Sequence, residues 1–218
     1  MVLRVLMAIG DLHDEQEHGE RIRSWLRKNG VGLLCGVLLG FVFIAAWQWR
    51  EAKQVDQFTS AAQQFAVFGK LLQAKELGNA AQALAKLNGA PAGLYAELGA
   101  LQLAKAQSEA GNTAEAIKIL RTLPVDSQFK LIADQRLARL LVATGKADEA
   151  NKLLATRNDD VSFEIQGDAL LVLGKREQAR ERYAKALAMG DSAAPQRRIL
   201  EIKLMDVGGT LPTPVGPI

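Results

Sequence analysis

The sequence predicts an all-α protein in which one N-terminal transmembrane helix precedes a solenoid of antiparallel helix pairs. Three observations lead to this fold class. An uncharged, mostly apolar run occupies Gly30–Trp49. The rest of the chain is rich in Ala, Leu, Gln, Lys and Glu and sparse in β-branched and aromatic residues, which is a helix-forming composition. A Gly-x4-Ala step recurs at intervals close to the length of one helix pair.

The run Gly30–Trp49 has the length and the flanks of a membrane-spanning helix. Its 20 residues extend about 30 Å as a helix, which matches the hydrocarbon core of a bilayer. Trp47 and Trp49 lie at its far end, where indole rings favour the membrane interface. A buried core helix would show a polar stripe, and a cleaved signal peptide would have a shorter apolar region with a small-x-small site. We therefore predict an anchor at residues 29–50.

Flanking charge predicts the orientation of this anchor. Lys and Arg are in excess before it, whereas acidic residues offset the basic ones after it. Because excess Lys and Arg mark the cytoplasmic side, residues 1–28 should be a cytoplasmic tail and residues 50–218 should be translocated, into the periplasm in a Gram-negative cell. Residues 11–20 form an acidic, polar run that we expect to be disordered or a frayed helix.

Three glycines give the anchor a small-residue face. Gly32, Gly36 and Gly40 recur every four residues, which places them along one side of a helix. Small residues let a second membrane helix approach closely, so this face is a candidate for lateral docking on another membrane protein. The ordinary composition of membrane helices explains the three glycines about as well.

A repeated turn residue and small residue organise the translocated part. Gly78, Gly111, Gly145 and Gly174 are each followed five residues later by Ala, and their intervals are 33, 34 and 29. Each Gly falls between two helical patterns, where a positive φ can end one helix before the next begins. In three units a small residue lies twelve positions before the Ala, whereas the first unit has Leu71 there. The three predicted packing pairs are Ala104 with Ala116, Ala138 with Ala150, and Gly167 with Ala179.

Helix–turn–helix units with a period near 34 are typical of the tetratricopeptide repeat. The sequence departs from that consensus, because the aromatic residue early in the first helix is missing and the last unit is short. We therefore predict a tetratricopeptide-like domain at residues 51–207. An ordinary antiparallel bundle is the alternative, and four coincident Gly-x4-Ala steps disfavour it.

The end of the chain predicts a cap and a tail. A helix near residues 194–207, with Ile199, Ile202 and Leu204 as its apolar face, should close the open end of the solenoid. Residues 208–218 are uncharged and rich in Pro and Gly, so we expect a flexible tail.

Composition narrows the function of the translocated part. It carries 22 Lys and Arg against 19 Asp and Glu, which is too weak an excess to indicate nucleic-acid binding. It also has no His and no Cys, and we predict no enzymatic activity, no metal and no cofactor. A binding surface remains, for which Tyr95, Gln102 and Gln135 on the first helices of the units are groove candidates.

The order of these segments resembles the YfgM family, ancillary subunits of the SecYEG translocon in proteobacterial inner membranes. The resemblance is carried by RSWLRKNG (Arg23–Gly30), WQWREAK (Trp47–Lys53), LARLLVATGKADEA (Leu137–Ala150) and GDALLVLGKREQAR (Gly167–Arg180). It implies association with the translocon and with a membrane-anchored periplasmic chaperone of the PpiD type, helping secreted chains to reach periplasmic chaperones. Two other hypotheses stay open: a regulator whose cytoplasmic tail binds a stress-response signalling protein, and a scaffold for envelope assembly.

Overall fold

The structure, a computed structural model, describes residues 2–87, 93–191 and 193–211. Every regular element in these ranges is an α-helix, which confirms the predicted all-α fold class. The nine helices of the described ranges are α1 (Val2–Gln73), α2 (Leu77–Ala85), α3 (Gly93–Glu109), α4 (Thr113–Arg121), α5 (Lys130–Ala143), α6 (Ala147–Leu153), α7 (Asp160–Val172), α8 (Arg176–Met189) and α9 (Arg197–Asp206).

The chain divides into two compact units, Met1–Gln57 and Phe58–Ile218. Within the described residues, α1 is the one helix that is long and apolar enough to cross a membrane by its length and composition. Its apolar window has a mean hydropathy of 2.3 and none of it is buried, so it is not the core helix of a soluble domain. Residues 11–20, which we expected to be disordered or a frayed helix, are part of α1. No proline occurs within α1, so nothing of that kind breaks its backbone hydrogen bonding.

The second unit is a succession of helix pairs. The end of α1 pairs with α2, and α3, α5 and α7 pair with α4, α6 and α8. Each helix from α2 to α8 packs on the next helix along the chain, and α5 also packs on α7. The first helices of the pairs therefore form one layer and the second helices form the other, with α9 after the last pair.

Five helices end in the same turn. Lys75, Gly111, Gly145, Gly174 and Gly208 all have a positive φ, between 58° and 83°. In each turn the amide of this residue donates to the carbonyl three positions earlier, and the next amide donates to the carbonyl five positions earlier. This is the Schellman motif, which satisfies carbonyls that the end of a helix leaves without partners.

The first unit is three residues out of the predicted register. Gly78 is the second residue of α2 and ends no helix, because Lys75 adopts the left-handed conformation instead. The buried alanine of α2 is accordingly Ala80 and not Ala83, and the residue twelve positions before it is the fully buried Phe68. A lysine can take this position because its side chain is exposed and its amide makes the same Schellman bonds as the glycines.

The six residues predicted to pack the helix pairs all lie in the interior of the second unit. These residues are Ala104, Ala116, Ala138, Ala150, Gly167 and Ala179. The closest approach is at Gly167, where an added Cβ would lie 2.4 Å from Cε1 of Tyr183. The ring of Tyr183 is fully buried, so this glycine is what lets α7 and α8 pack around it.

The helix predicted to be a cap, α9, buries a different face from the one predicted. Leu200, Leu204 and Val207 join the core, whereas Ile199 and Ile202 are 56% and 48% exposed. Of the three residues expected on the buried face, Leu204 is the one that is buried. The spacing of the observed set, four and then three residues, keeps all its members on one side of a helix.

The sequence has helix-start signals at Asp159 and at Pro91. The carboxylate of Asp159 accepts a hydrogen bond from the amide of Ser162 at 2.9 Å and so caps the start of α7. Pro91 lies outside the described residues, as do residues 212–218 of the expected tail. The domain boundaries at 28, 50 and 207 stay predictions.

Replacing two glycines by alanine should change stability in opposite directions. An added Cβ has no neighbour within 4 Å at either Gly145 or Gly78, but Gly145 has a φ of +78° and Gly78 lies within α2. Gly145→Ala should destabilise the second unit by about 1 kcal/mol. Gly78→Ala should stabilise it by about 0.5 kcal/mol or more. Urea unfolding of the full chain, followed by circular dichroism, measures both, and an unchanged midpoint for Gly145→Ala would contradict the turn assignment.

Candidate protein-binding groove

Two clefts adjoin on the layer of first helices. The first cleft, of about 380 Å³, is bounded by α5, α7, the end of α8 and α9. The second, of about 410 Å³, is bounded by α3, α4 and α5. Arg136 and Arg139 of α5 line both clefts, so the two meet across this helix. We call the two clefts together the α5 groove.

The sequence of α5 places one face in the core and another in the groove. Its buried residues are Ala133, Asp134, Leu137, Ala138 and Leu141. Ile132, Arg136 and Arg139 are exposed, and their spacing of four and three residues aligns them as a stripe along the helix. The groove therefore presents one apolar side chain and two guanidinium groups in a row.

The other walls of the groove mix apolar and polar groups. Val161 of α7 and Leu200 of α9 line the first cleft, and Ala104 and Leu120 line the second. A surface with apolar walls and a few charged groups suits the side chains of a peptide better than it suits a polar small molecule. Within the described residues no group of three or more His, Cys, Asp or Glu side chains is placed to hold a metal ion.

A network of charged and hydroxyl groups fixes α9 against α7 and α8, next to the first cleft. The ammonium of Lys203 donates to Glu164 at 2.7 Å and to Asp168 at 2.9 Å. The hydroxyl of Tyr183 donates to the other oxygen of Asp168 at 2.7 Å. Because Glu164 lines the first cleft, this network holds one wall of the groove in place.

Both proton donors of this network have raised pKa values. Burial raises the pKa of Tyr183, and its hydrogen bond to Asp168 raises it further. Burial alone would lower the pKa of Lys203, but the hydrogen bonds to Asp168 and Glu164 outweigh that effect and raise it. The fold therefore favours the protonated form of both groups.

The three groove candidates from the sequence lie in different surroundings. Gln135 lines the first cleft, but its side-chain amide donates to Asp159 at 2.8 Å and so links α5 to the start of α7. Tyr95 is half-buried and its ring packs on Phe65, with 5.3 Å between the ring centroids. Gln102 is half-buried on α3 and lines neither cleft. Arg136 and Arg139 are not among the groove residues that the sequence predicts, although both are basic residues next to apolar positions of one helix.

The glycine face of the anchor is open within the first unit. A Cβ added at Gly32, Gly36 or Gly40 would meet nothing within 4 Å. At the far end of the anchor, the ammonium of Lys53 lies 4.6 Å from the ring centroid of Trp49. This cation–π contact joins the two residue types that favour a membrane interface.

The stabilising effect of the Lys203 network should disappear at alkaline pH. Since the folded pKa values of Lys203 and Tyr183 lie above their usual 10.5 and 10.0, the network contributes fully below about pH 10 and is lost as pH rises through the folded values. Lys203→Met should lower the Tm at pH 8 by a few degrees, and the gap to the natural chain should narrow from about pH 10 upward.

Lys152→Met is the matched control for this measurement. Lys152 forms an ion pair with Asp148, but both side chains are exposed, so its loss should change the Tm very little at any pH. Thermal melts of the three full-length chains across the alkaline range give the comparison. If the Tm difference between Lys203→Met and the natural chain stayed constant with pH, the ion pairs of Lys203 would not stabilise α9.

The chain is similar to one protein of known name and to two solved structures. The chain is 28% identical over 176 residues to the ancillary SecYEG translocon subunit of Escherichia coli strain K12, covering 78% of this chain and 85% of that protein. This agreement confirms the resemblance inferred from the order of segments. Among solved structures, MamA MSR-1 C2 is 19% identical with a TM-score of 0.47, covering 68% of this chain and 84% of that one. A Podosopora anserina protein with nearly identical TPR-like repeats is 20% identical with a TM-score of 0.47, covering 67% and 84%.

The family comparison covers most of the chain. The model of the tetratricopeptide repeat-like domain family matches residues 23–209, which include both the anchor and the helix pairs. The helix pairs of the second unit, each helix packed on its successor, are the helix–turn–helix units typical of such repeats. The chain therefore belongs to the tetratricopeptide repeat-like domain family.

Proposed function

We propose that the protein is a non-enzymatic, membrane-anchored adaptor at the SecYEG translocon. The observation that carries the proposal is the similarity to the Escherichia coli ancillary translocon subunit over 78% of this chain. The family match extends from residue 23 to residue 209, a range that includes the apolar stretch of α1 and the helix pairs. An adaptor needs two binding surfaces, and this chain offers one in each unit.

The first surface is the glycine face of the anchor, Gly32, Gly36 and Gly40. No part of the first unit occupies it, and small residues allow a helix of the translocon to approach closely in lipid. The anchor would thereby dock laterally as well as hold the second unit at the membrane.

The second surface is the α5 groove of the helix pairs. Its exposed stripe and apolar walls suit an extended segment of a secreted chain or of a periplasmic chaperone. With the N-terminus in the cytoplasm, the groove would lie in the periplasm, where a membrane-anchored chaperone of the PpiD type is the expected partner. The adaptor would then pass chains that leave the translocon to periplasmic chaperones.

Photocrosslinking from the anchor tests the translocon contact. Phe43 lies within about 20° of the direction of Gly36 and Gly32 around the helix, whereas Phe41 lies on the far side. The two side chains are similarly exposed, at 69% and 66%. With p-benzoylphenylalanine at Phe43, in Escherichia coli cells whose ancillary subunit is replaced by this chain, we expect crosslinks to a translocon subunit.

Phe41 provides the matched control at nearly the same membrane depth. The same photoreactive residue there should give far weaker crosslinks to the translocon. Crosslinks of equal yield from Phe43 and Phe41 would contradict docking through the glycine face. If neither position gave a crosslink to a translocon subunit, the proposed function itself would be contradicted.

Protease accessibility tests the proposed orientation. Protease added to spheroplasts should digest the second unit and leave the cytoplasmic residues attached to the anchor protected. Intact cells and a cytoplasmic marker protein serve as controls for outer-membrane permeability and for lysis. Protection of the second unit in intact spheroplasts would show that the basic flank before the anchor does not mark the cytoplasmic side.

A further inference from the structure

The basic side chains that line the α5 groove differ in whether they have hydrogen-bond partners within the chain. Arg136 donates to the carbonyl of Leu101 at 3.2 Å, and Arg197 donates to Glu201 at 3.0 Å. The guanidinium of Arg139, which lines both clefts, makes no hydrogen bond and no ion pair with any residue that the structure describes. The guanidinium at the centre of the groove is therefore available to a ligand.

The carboxylates of the groove are bound within the chain. Glu164 accepts from Lys203, and Glu109 pairs with Lys105 at 3.7 Å. Asp160 and Asp191 accept backbone amides of Val161 and Ala193, each at 2.9 Å. These two aspartates line only the first cleft. The second cleft has three basic side chains, Lys105, Arg136 and Arg139, against the one carboxylate of Glu109, so the charge on that side of Arg139 is positive.

We infer that the α5 groove binds extended peptide segments in which a carboxylate accompanies an apolar side chain, and that Arg139 holds the carboxylate. This inference rests on the proposed function and names the class of segment that the adaptor recognises. An arginine presents two parallel N–H donors that match the two oxygens of an Asp or Glu side chain. Ile132, two helical turns away on the same stripe of α5, provides an apolar contact for the accompanying side chain.

The walls of the groove make this pairing stronger than one on an open surface. Val161, Leu200 and the stem of Arg136 flank the first cleft, and Ala104 and Leu120 flank the second. A carboxylate that is partly shielded from water by such groups interacts more strongly with a guanidinium than a fully solvated one does. The apolar walls also bind the peptide independently of its charge.

Fluorescence anisotropy with two synthetic peptides tests the inference. The probes are a fluorescein-labelled peptide of alternating leucine and aspartate and its counterpart with asparagine in place of aspartate. The full chain is reconstituted in phosphatidylcholine nanodiscs, whose lipid carries no net charge. We expect the aspartate peptide to bind about tenfold more tightly than the asparagine peptide, and added salt to reduce this difference.

Arg139→Gln should abolish the preference for the aspartate peptide while leaving the affinity for the asparagine peptide unchanged. Arg180→Gln is the matched control, because Arg180 is exposed on α8 and lines neither cleft, and it should leave the preference intact. The inference would be overturned if the natural chain bound the two peptides with equal affinity or bound neither of them. It would also be overturned if Arg139→Gln and Arg180→Gln reduced the preference for the aspartate peptide equally. Equal affinity would still leave a peptide-binding groove, whereas the proposed function is judged separately by the crosslinks from Phe43.

Discussion

The close approach of paired helices is the constraint on which the second unit depends. In three of the four pairs the residues buried between the two helices are small, as at Ala104 and Ala116 or at Ala138 and Ala150, and small residues let helices pack closely. The chain must also reverse within a few residues, which requires a left-handed residue such as Gly111. The turn residue and the small residues therefore lie at a fixed distance from each other in the sequence. For that reason the repeat can be recognised from the sequence.

The same constraint creates the groove. Because α5 turns Ala138 and its other small and apolar residues toward α6 and the core, the opposite side of the helix is left for exposed residues. Ile132, Arg136 and Arg139 consequently stay accessible without any cost to the packing of the core.

The sequence predicted the features that glycine and alanine determine, and it failed where another residue can replace them. The turns at Gly111, Gly145 and Gly174 were predictable because glycine adopts a positive φ most easily. The turn at Lys75 was not, because the nearby Gly78 offered the same signal three residues later. The availability of a guanidinium in the groove also depends on contacts between helices that are distant in the sequence, so no local pattern could have predicted it.

The packing constraint also distinguishes α9 from the first helices of the earlier pairs. Seven positions before its left-handed residue, Gly208, α9 has Glu201, where three of the earlier first helices have a small residue. Phe68 shows that a large apolar residue can be buried at this position. A carboxylate cannot be buried there without a large loss of hydration, and Glu201 instead bonds to Arg197 at the surface. A second helix packed on α9 in the usual way would have to bury that charge, so the charge itself opposes extension of the solenoid.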